Sequence, residues 1–230
     1  MHQPSNNNFN TMKIIITGAN GMAGSEVVRQ AILNPAISEI TLIARKPLNI
    51  NHSKVKTVLH SNFLDYSLLQ TVFENNDACI WCLGISQTQV KEPEYIKITY
   101  DFTIAAAKAM LQYNPSITFL FLSGAGADSD EKSNTLFARI KGKTENELKR
   151  IGLKQLFIAR PGGIRPMHKK ENAALYEKIL IPLFPIFELI IPNKMIKSTT
   201  LAKAMLHIIL HGSKQLIHEN MDLKKLGEQN

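Results

Sequence analysis

Six short runs of the chain are nearly all apolar: MKIIIT beginning at Met12, then EITLIA, VKTVLH, DACIWCLG, ITFLFLS and KQLFIARP. A strand with one wet face alternates apolar and polar residues. A strand covered on both faces does not, and a parallel sheet between two helical layers requires that kind. Between these runs lie SEVVRQAIL, YSLLQTVF, the long EYIKITYDFTIAAAKAMLQY and a segment over 137–150, with apolar residues at helical spacing. Strands alternating with helices through right-handed crossovers predict an α/β protein with a doubly wound parallel sheet.

Beyond Pro161 the texture changes. ALYEKILIPLFPIFELIIP is strongly apolar, but it is broken by Pro182, Pro185 and Pro192 and carries Glu188. A helix that spans a bilayer needs about 20 apolar residues and tolerates such interruptions poorly. The expectation for 175–191 is a broken helix against the sheet edge or against a second copy in a homodimer. A lid over an apolar substrate and a shallow membrane contact are the other readings. STTLAKAMLHIIL reads as an amphipathic helix with Ser198 or Thr199 as its N-cap. The polar, Asn-rich residues 1–11 read as a disordered leader, 12–163 as a nucleotide-binding domain, and 164–230 as a small C-terminal helical region forming a substrate pocket or interface. With 230 residues and 44% apolar composition, the chain can bury one substantial core.

The formal charge of +8 and isoelectric point near 9.4 raise nucleic acid as a partner. The basic residues are scattered, however, in pairs such as Lys169-Lys170 and Lys224-Lys225, and no aromatic and basic residues interleave on a strand. No nucleic-acid partner is expected; a basic surface suits anionic metabolites or acidic lipid. Two cysteines make no disulfide framework and no stretch reads as a signal peptide, so a reducing cytoplasm is expected. Cys79 and Cys82 form a C-x-x-C inside an apolar strand, where residues three apart face opposite sides, so no functional pair is expected. His207 and His211 share a helix face without a third ligand nearby and are read as surface or interface residues. Asp77 is read as a turn residue, and no metal site is expected.

The turn after the first run carries the chemistry. Gly18, Gly21 and Gly24 stand three apart, with Asn20 and Met22 between them, where a strand ends and a helix begins. A backbone that turns tightly, approaches a diphosphate and packs a helix on a strand needs glycine at such places. The free amides and the positive end of the helix dipole favour the anion. The second run ends LIARKP. Where an acidic residue would accept from a ribose 2′-hydroxyl, Arg45 and Lys46 suit a 2′-phosphate. NADPH is the expected cofactor, with NADH the alternative.

Together, TGANGMAG, ARK, NFLDYSLL, CLG after the fourth run and LSGAGADSDEKSNTLFARIKGKTE resemble the short-chain dehydrogenase/reductase superfamily. The resemblance is strongest to its atypical branch, the NAD(P)-binding proteins similar to the Tat-interacting oxidoreductase-like protein. It runs from about Met12 through ARPGG and more weakly into STTLAKAM. It implies a Rossmann fold and an NAD(P)-dependent oxidoreductase. It further implies that Asp65 meets the adenine ring, that Cys82, Leu83 and Gly84 run beneath the cofactor, and that Ser123 holds a substrate carbonyl. Lys141 would bond the nicotinamide ribose and lower the pKa of a neighbouring phenol, and Arg160, Pro161 and Gly162 would lie against the nicotinamide. Phe137 occupies the place of that phenol, which the family takes from tyrosine.

Phe137 and Lys141 are four apart and share one side of a helix, so only the hydroxyl is missing. Carbonyl reduction needs a proton, and a positioned acid is worth roughly a hundred- to ten-thousandfold in rate. Ser123 and Lys141 remain as catalytic candidates, and Tyr95, Tyr100 and Tyr176 are the tyrosines to consider as stand-ins, each otherwise a packing residue. Two functions follow. One is a divergent NADPH-dependent oxidoreductase acting on a small or apolar carbonyl substrate; the other is a catalytically weak NADPH-binding sensor or scaffold. The short C-terminal region favours a small substrate over a nucleotide-sugar.

Overall fold

The computed structural model describes residues 11–168 and 192–229. Residues 1–10 of the leader, the 175–191 stretch, Tyr176 and the Lys169-Lys170 pair lie outside them. All six expected strands form: β1 (Met12–Thr17), β2 (Ile37–Ala44), β3 (Val55–Leu59), β4 (Ala78–Trp81), β5 (Thr118–Leu122) and β6 (Gln155–Arg160). Three more carry too few residues for any period to show. Of these, β7 (Gly163–Arg165) and β8 (Met195–Lys197) pair with each other, and β9 (Ile217–Glu219) adds to the main sheet alongside β6. The main sheet is parallel throughout, in the order β3-β2-β1-β4-β5-β6-β9. Because its seventh strand comes from the C-terminal region, the line drawn at Gly163 is not a break in the fold.

The described helices are α1 (Met22–Leu33), α2 (Gln70–Glu74), α3 (Glu92–Ile96), α4 (Phe102–Tyr113), α5 (Leu136–Ile151), α6 (Ser198–His211) and α7 (Asn220–Glu228). The single long helix expected over 94–113 is divided by a π-helical turn at Lys97–Asp101. No side chain caps α6: its N-cap is Lys197, and the Ser198 hydroxyl instead accepts from the Met167 N–H at 3.0 Å. The cap expected at Ser198 or Thr199 is thereby corrected. Ser198 is already inside the helix and serves the β7 end of the neighbouring ladder.

Successive strand residues face opposite layers. Ile14 and Ile16 are buried with α1, α6 and Leu223 of α7, whereas Ile15 is buried with Phe73, Trp81, Met110 and Leu148 in the layer of α2, α4 and α5. Cys79 belongs to the second layer and Cys82 packs against the first, as strand geometry requires. Among the described residues no helix is long and apolar enough to cross a membrane. Strand order reverses between β1 and β4, and in open α/β sheets the crevice at that reversal, beyond the carboxyl ends of the strands, receives ligands.

Candidate active site

Gly18 follows β1 with φ of 67°, a left-handed conformation that favours glycine. A Cβ there would collide with the Cys82 carbonyl just past β4, and a Cβ on Gly24 would collide with the Gly18 carbonyl. The first glycine therefore lets the turn lie on the end of β4, and the second lets α1 start against the turn. The Gly21 N–H closes the turn on the Gly18 carbonyl at 2.7 Å. Gly21 is the N-cap of α1, and neither a capping side chain nor an acidic first-turn residue occupies that end. The amides of Met22, Ala23 and Gly24 lack acceptors within the helix, as in any first turn, and the positive end of its dipole lies there.

Beside this turn opens a cavity of about 390 Å³ lined by Gly18, Asn20, Arg45, Lys46, Phe63 and Leu83, among others. The Leu83 N–H is held by the Thr17 hydroxyl at 3.2 Å. Gly84, next along, is exposed. Asp65 is not in this cavity. It lines a separate one with Leu64, Tyr100, Asp101 and Lys108. Its carboxylate accepts from the Ser67 N–H at 2.9 Å, a bond that holds it below the usual carboxylate range. Asp65 is thus a turn residue, and Phe63 is the side chain from that loop that faces the cavity.

A second cavity, of about 770 Å³, lies past the ends of β5 and β6; Ser123, Phe137, Pro161, Gly162, Asn220 and Met221 are part of its wall. The Phe137 ring occupies the space a Cβ on Gly124 would need, and its backbone N–H donates to Gln87 Oε1 at 2.8 Å. One turn further along α5, Lys141 is buried; its Nζ donates to the Leu122 carbonyl at 2.9 Å and stands 4.6 Å from the centre of the Phe121 ring. Burial pushes the ammonium down to about 8, with the Glu145 carboxylate opposing the shift.

Glu145, another turn along α5, is fully buried. It accepts the Ser123 hydroxyl at 2.5 Å and three contacts from Arg160: Nε at 3.0 and 3.2 Å and Nη2 at 2.5 Å. Arg160 Nη1 also reaches Glu219 at 3.0 Å, and Nη2 reaches the Ser129 hydroxyl at 3.2 Å. The bonds to Glu145 raise the guanidinium above its ordinary value. The expected contribution of Arg160 is therefore corrected: Pro161 and Gly162 face the cavity, while the Arg160 guanidinium is turned into this network. The single proton of Ser123 is likewise committed to Glu145.

Two residues of the site were not foreseen. Glu145 sits among charged residues that read as a solvated helix face, yet it is four beyond Lys141 and eight beyond Phe137, a spacing that places it on their side. Asn220 joins three segments. Its Oδ1 accepts from the Gly162 N–H at 2.7 Å, and its Nδ2 donates to the Asn193 carbonyl at 2.8 Å and the Met195 carbonyl at 3.3 Å. Tyr95 is buried, and Tyr100 lies under Lys143 Nζ at 4.7 Å and lines the Asp65 cavity. Neither lines the Ser123 cavity. The His207 and His211 rings are 4.6 Å apart, and among the described residues no group of three or more His, Cys, Asp or Glu side chains could hold a metal ion. Asp77 accepts from the Lys13 N–H at 2.7 Å, joining the starts of β1 and β4.

A parallel sheet with this reversal and a glycine turn feeding an uncapped helix defines a Rossmann dinucleotide-binding fold. Residues 14–143 match the model of the NAD dependent epimerase/dehydratase family, and the chain belongs to that family. Protein FMP52, mitochondrial, of Candida albicans is 28% identical over 165 residues, covering 70% of this chain and 71% of the relative. Protein HTATIP2 of Rattus norvegicus is 24% identical over 152 residues, covering 65% of this chain but only 61% of the relative. Among solved structures, UDP-glucose 4-epimerase of Thermotoga maritima superposes with a TM-score of 0.66 at 14% identity, covering 95% of this chain and 82% of that one. The Bordetella bronchiseptica enzyme WbmH, solved in complex with NAD+, gives a TM-score of 0.65 at 15% identity, with coverage of 91% and 75%.

Proposed function

We propose that the protein is an NADPH-dependent oxidoreductase that interconverts a small or apolar carbonyl compound and its alcohol. One observation carries this reading: Gly18, Ala19 and Asn20, in the turn that leads into α1, line the same cavity as two exposed cations, Arg45 and Lys46. The diphosphate suits the amides that begin α1, and the 2′-phosphate suits Arg45 and Lys46. Leu83 would underlie the cofactor, and Pro161 and Gly162 would border the nicotinamide, whose chemistry is to give or take a hydride. Lys141, expected to meet the ribose, is instead buried against the Leu122 carbonyl and lines neither cavity. The NAD+ bound by the Bordetella relative supports a nicotinamide nucleotide here. The apolar wall of the second cavity, with Phe137, Pro161, Ile164 and Met221, supports an apolar substrate.

The test is a calorimetric titration with NADPH and with NADH. NADPH is expected to bind at least about tenfold tighter, and a double substitution, Arg45→Ala with Lys46→Ala, should erase that margin. Tighter NADH binding would overturn the 2′-phosphate assignment; no affinity for either nucleotide would overturn the whole reading. Phe137 favours a second reading, an NADPH-binding sensor with negligible turnover, because no phenol stands where the family places its proton donor. We also place the protein in the cytoplasm. The fungal relative is named as mitochondrial, and imaging of a tagged full-length chain decides between the two compartments.

A further inference from the structure

The proton that Phe137 cannot move has another route. Resting on the oxidoreductase reading above, we propose that Ser123 and Glu145 form a proton relay in which Ser123 takes the proton of a substrate hydroxyl as its own passes to Glu145, so that the site is built to oxidise an alcohol.

A serine hydroxyl has one proton to donate and two lone pairs. The Ser123 proton lies on Glu145, so what the residue offers the cavity is an acceptor. A substrate carbonyl placed there would face a lone pair, whereas a substrate hydroxyl would find the acceptor it needs. Glu145 accepts from Ser123 and Arg160 and lies beyond the reach of solvent, so a proton can reach it from the cavity through Ser123. Of the charged groups on the cavity wall, Glu219 is paired with Arg160 and Lys194 is a cation with no lone pair to accept a proton; the Lys141 ammonium, off the wall, donates to the Leu122 carbonyl. A clamp whose only work was to fix the loop after β6 would need Arg160 and Glu145 but not the serine. A buried ion pair is in any case a weak source of stability compared with apolar packing.

The substrate O–H bond breaks and its proton joins Ser123 Oγ, while the Ser123 Oγ–H proton joins the Glu145 carboxylate. The electron pair of the carbinol C–H bond leaves as hydride to an oxidised nicotinamide nucleotide, and the substrate becomes a carbonyl compound. The proton on Glu145 then returns through Ser123 to water entering the emptied cavity. The charges facing Glu145 are Arg160 from β6 and Lys141 from α5, with Glu219 of β9 reached through Arg160. Ser123 is the catalytic residue of this pair, and Glu145 acts through it.

The full-length protein saturated with NADP+ is offered cyclohexanol and 1-phenylethanol across a pH series, following formation of reduced nucleotide. Oxidation is expected. Ser123→Ala and Glu145→Gln should each lose at least about a hundredfold in kcat while NADPH affinity stays within about twofold. Should Glu145→Gln fail to fold, Glu145→Asp and Ser123→Ala carry the test. A second readout needs no turnover: the infrared difference between wild-type and Ser123→Ala apoprotein should contain a shifted ionised-carboxylate band. A protonated-carboxyl band at neutral pH, a Ser123→Ala rate equal to wild type, or an NADPH-binding protein that oxidises neither alcohol would each overturn the relay and leave the cofactor reading standing. Loss of nucleotide binding itself would bring down the reading beneath it.

Discussion

Burial of the Lys141 ammonium works against folding, and the sign of its pH dependence follows from the lowered pKa. Below about 8 both the folded and unfolded chains carry the proton, and the full desolvation penalty is present. Between about 8 and the ordinary 10.5 the unfolded chain binds more protons, so this lysine makes stability rise with pH; above that range the penalty is gone. Lys141→Met should accordingly raise stability at pH 7 by on the order of 2 kcal/mol, the shift less the lost bond to the Leu122 carbonyl. It should also flatten the climb toward pH 10.5 in urea unfolding; a variant less stable than wild type at pH 7 would show that the ammonium helps to hold the fold. At this scale the sequence was readable where sterics leave one choice, as at Gly18 and Gly24. It was not readable where a polar side chain has two equally good partners. Asp65 sits in the order the family motif requires, but a short polar side chain beside Ser67 bonds its own loop, and no spacing distinguishes that from a bond to adenine. Glu145 hid among charges that normally face water.

Five of the strands could be read because their centres are covered on both faces, which removes the polar positions that make shorter or edge strands ambiguous; β3, at the sheet edge, is largely exposed and showed only Val55, Val58 and Leu59 as its apolar signal. The three-residue strands β7, β8 and β9 had no such signature, and with them went the partner of the loop after β6. That loop is tied at three points: Arg160 to Glu145 on α5, the Pro161 carbonyl to the Ala125 N–H, and the Gly162 N–H to Asn220 at the start of α7. Gly162 is itself required there, because a Cβ would strike the Lys194 carbonyl. Asn220→Ala removes the acceptor of a half-buried amide and the donor to two carbonyls of the segment before and within β8. It should cost about 1–3 kcal/mol in urea unfolding. Because the loop walls the Ser123 cavity, the same variant should raise the KM for an alcohol substrate more than it changes the affinity for NADPH. Equal effects on both would place Asn220 in the general stability of the fold rather than in the cavity wall.

For the whole molecule, the sheet order concentrates function at one rim. The ends of β1, β2 and β4 supply the cavity beside the glycine turn, the ends of β5 and β6 supply the second cavity, and α5 crosses behind with Phe137, Lys141 and Glu145. The net charge of +8 adds a long-range attraction for a polyanionic ligand such as NADPH. The close seating of Gly18 on the Cys82 carbonyl has a consequence for experiment. Burial pushes the Cys82 thiol up to about 12, with the Lys141 ammonium pulling the other way, and it pushes Cys79 in the opposite layer well above its ordinary value. Thiols in that state react slowly with disulfide reagents unless the chain around them loosens. The rim thus contains its own gauge of breathing: the rate at which Ellman's reagent modifies Cys82 counts how often the glycine turn lifts off β4, and saturating NADPH should slow that clock at least about fivefold. A labelling rate indifferent to the nucleotide would mean that the turn and the ligand do not move together.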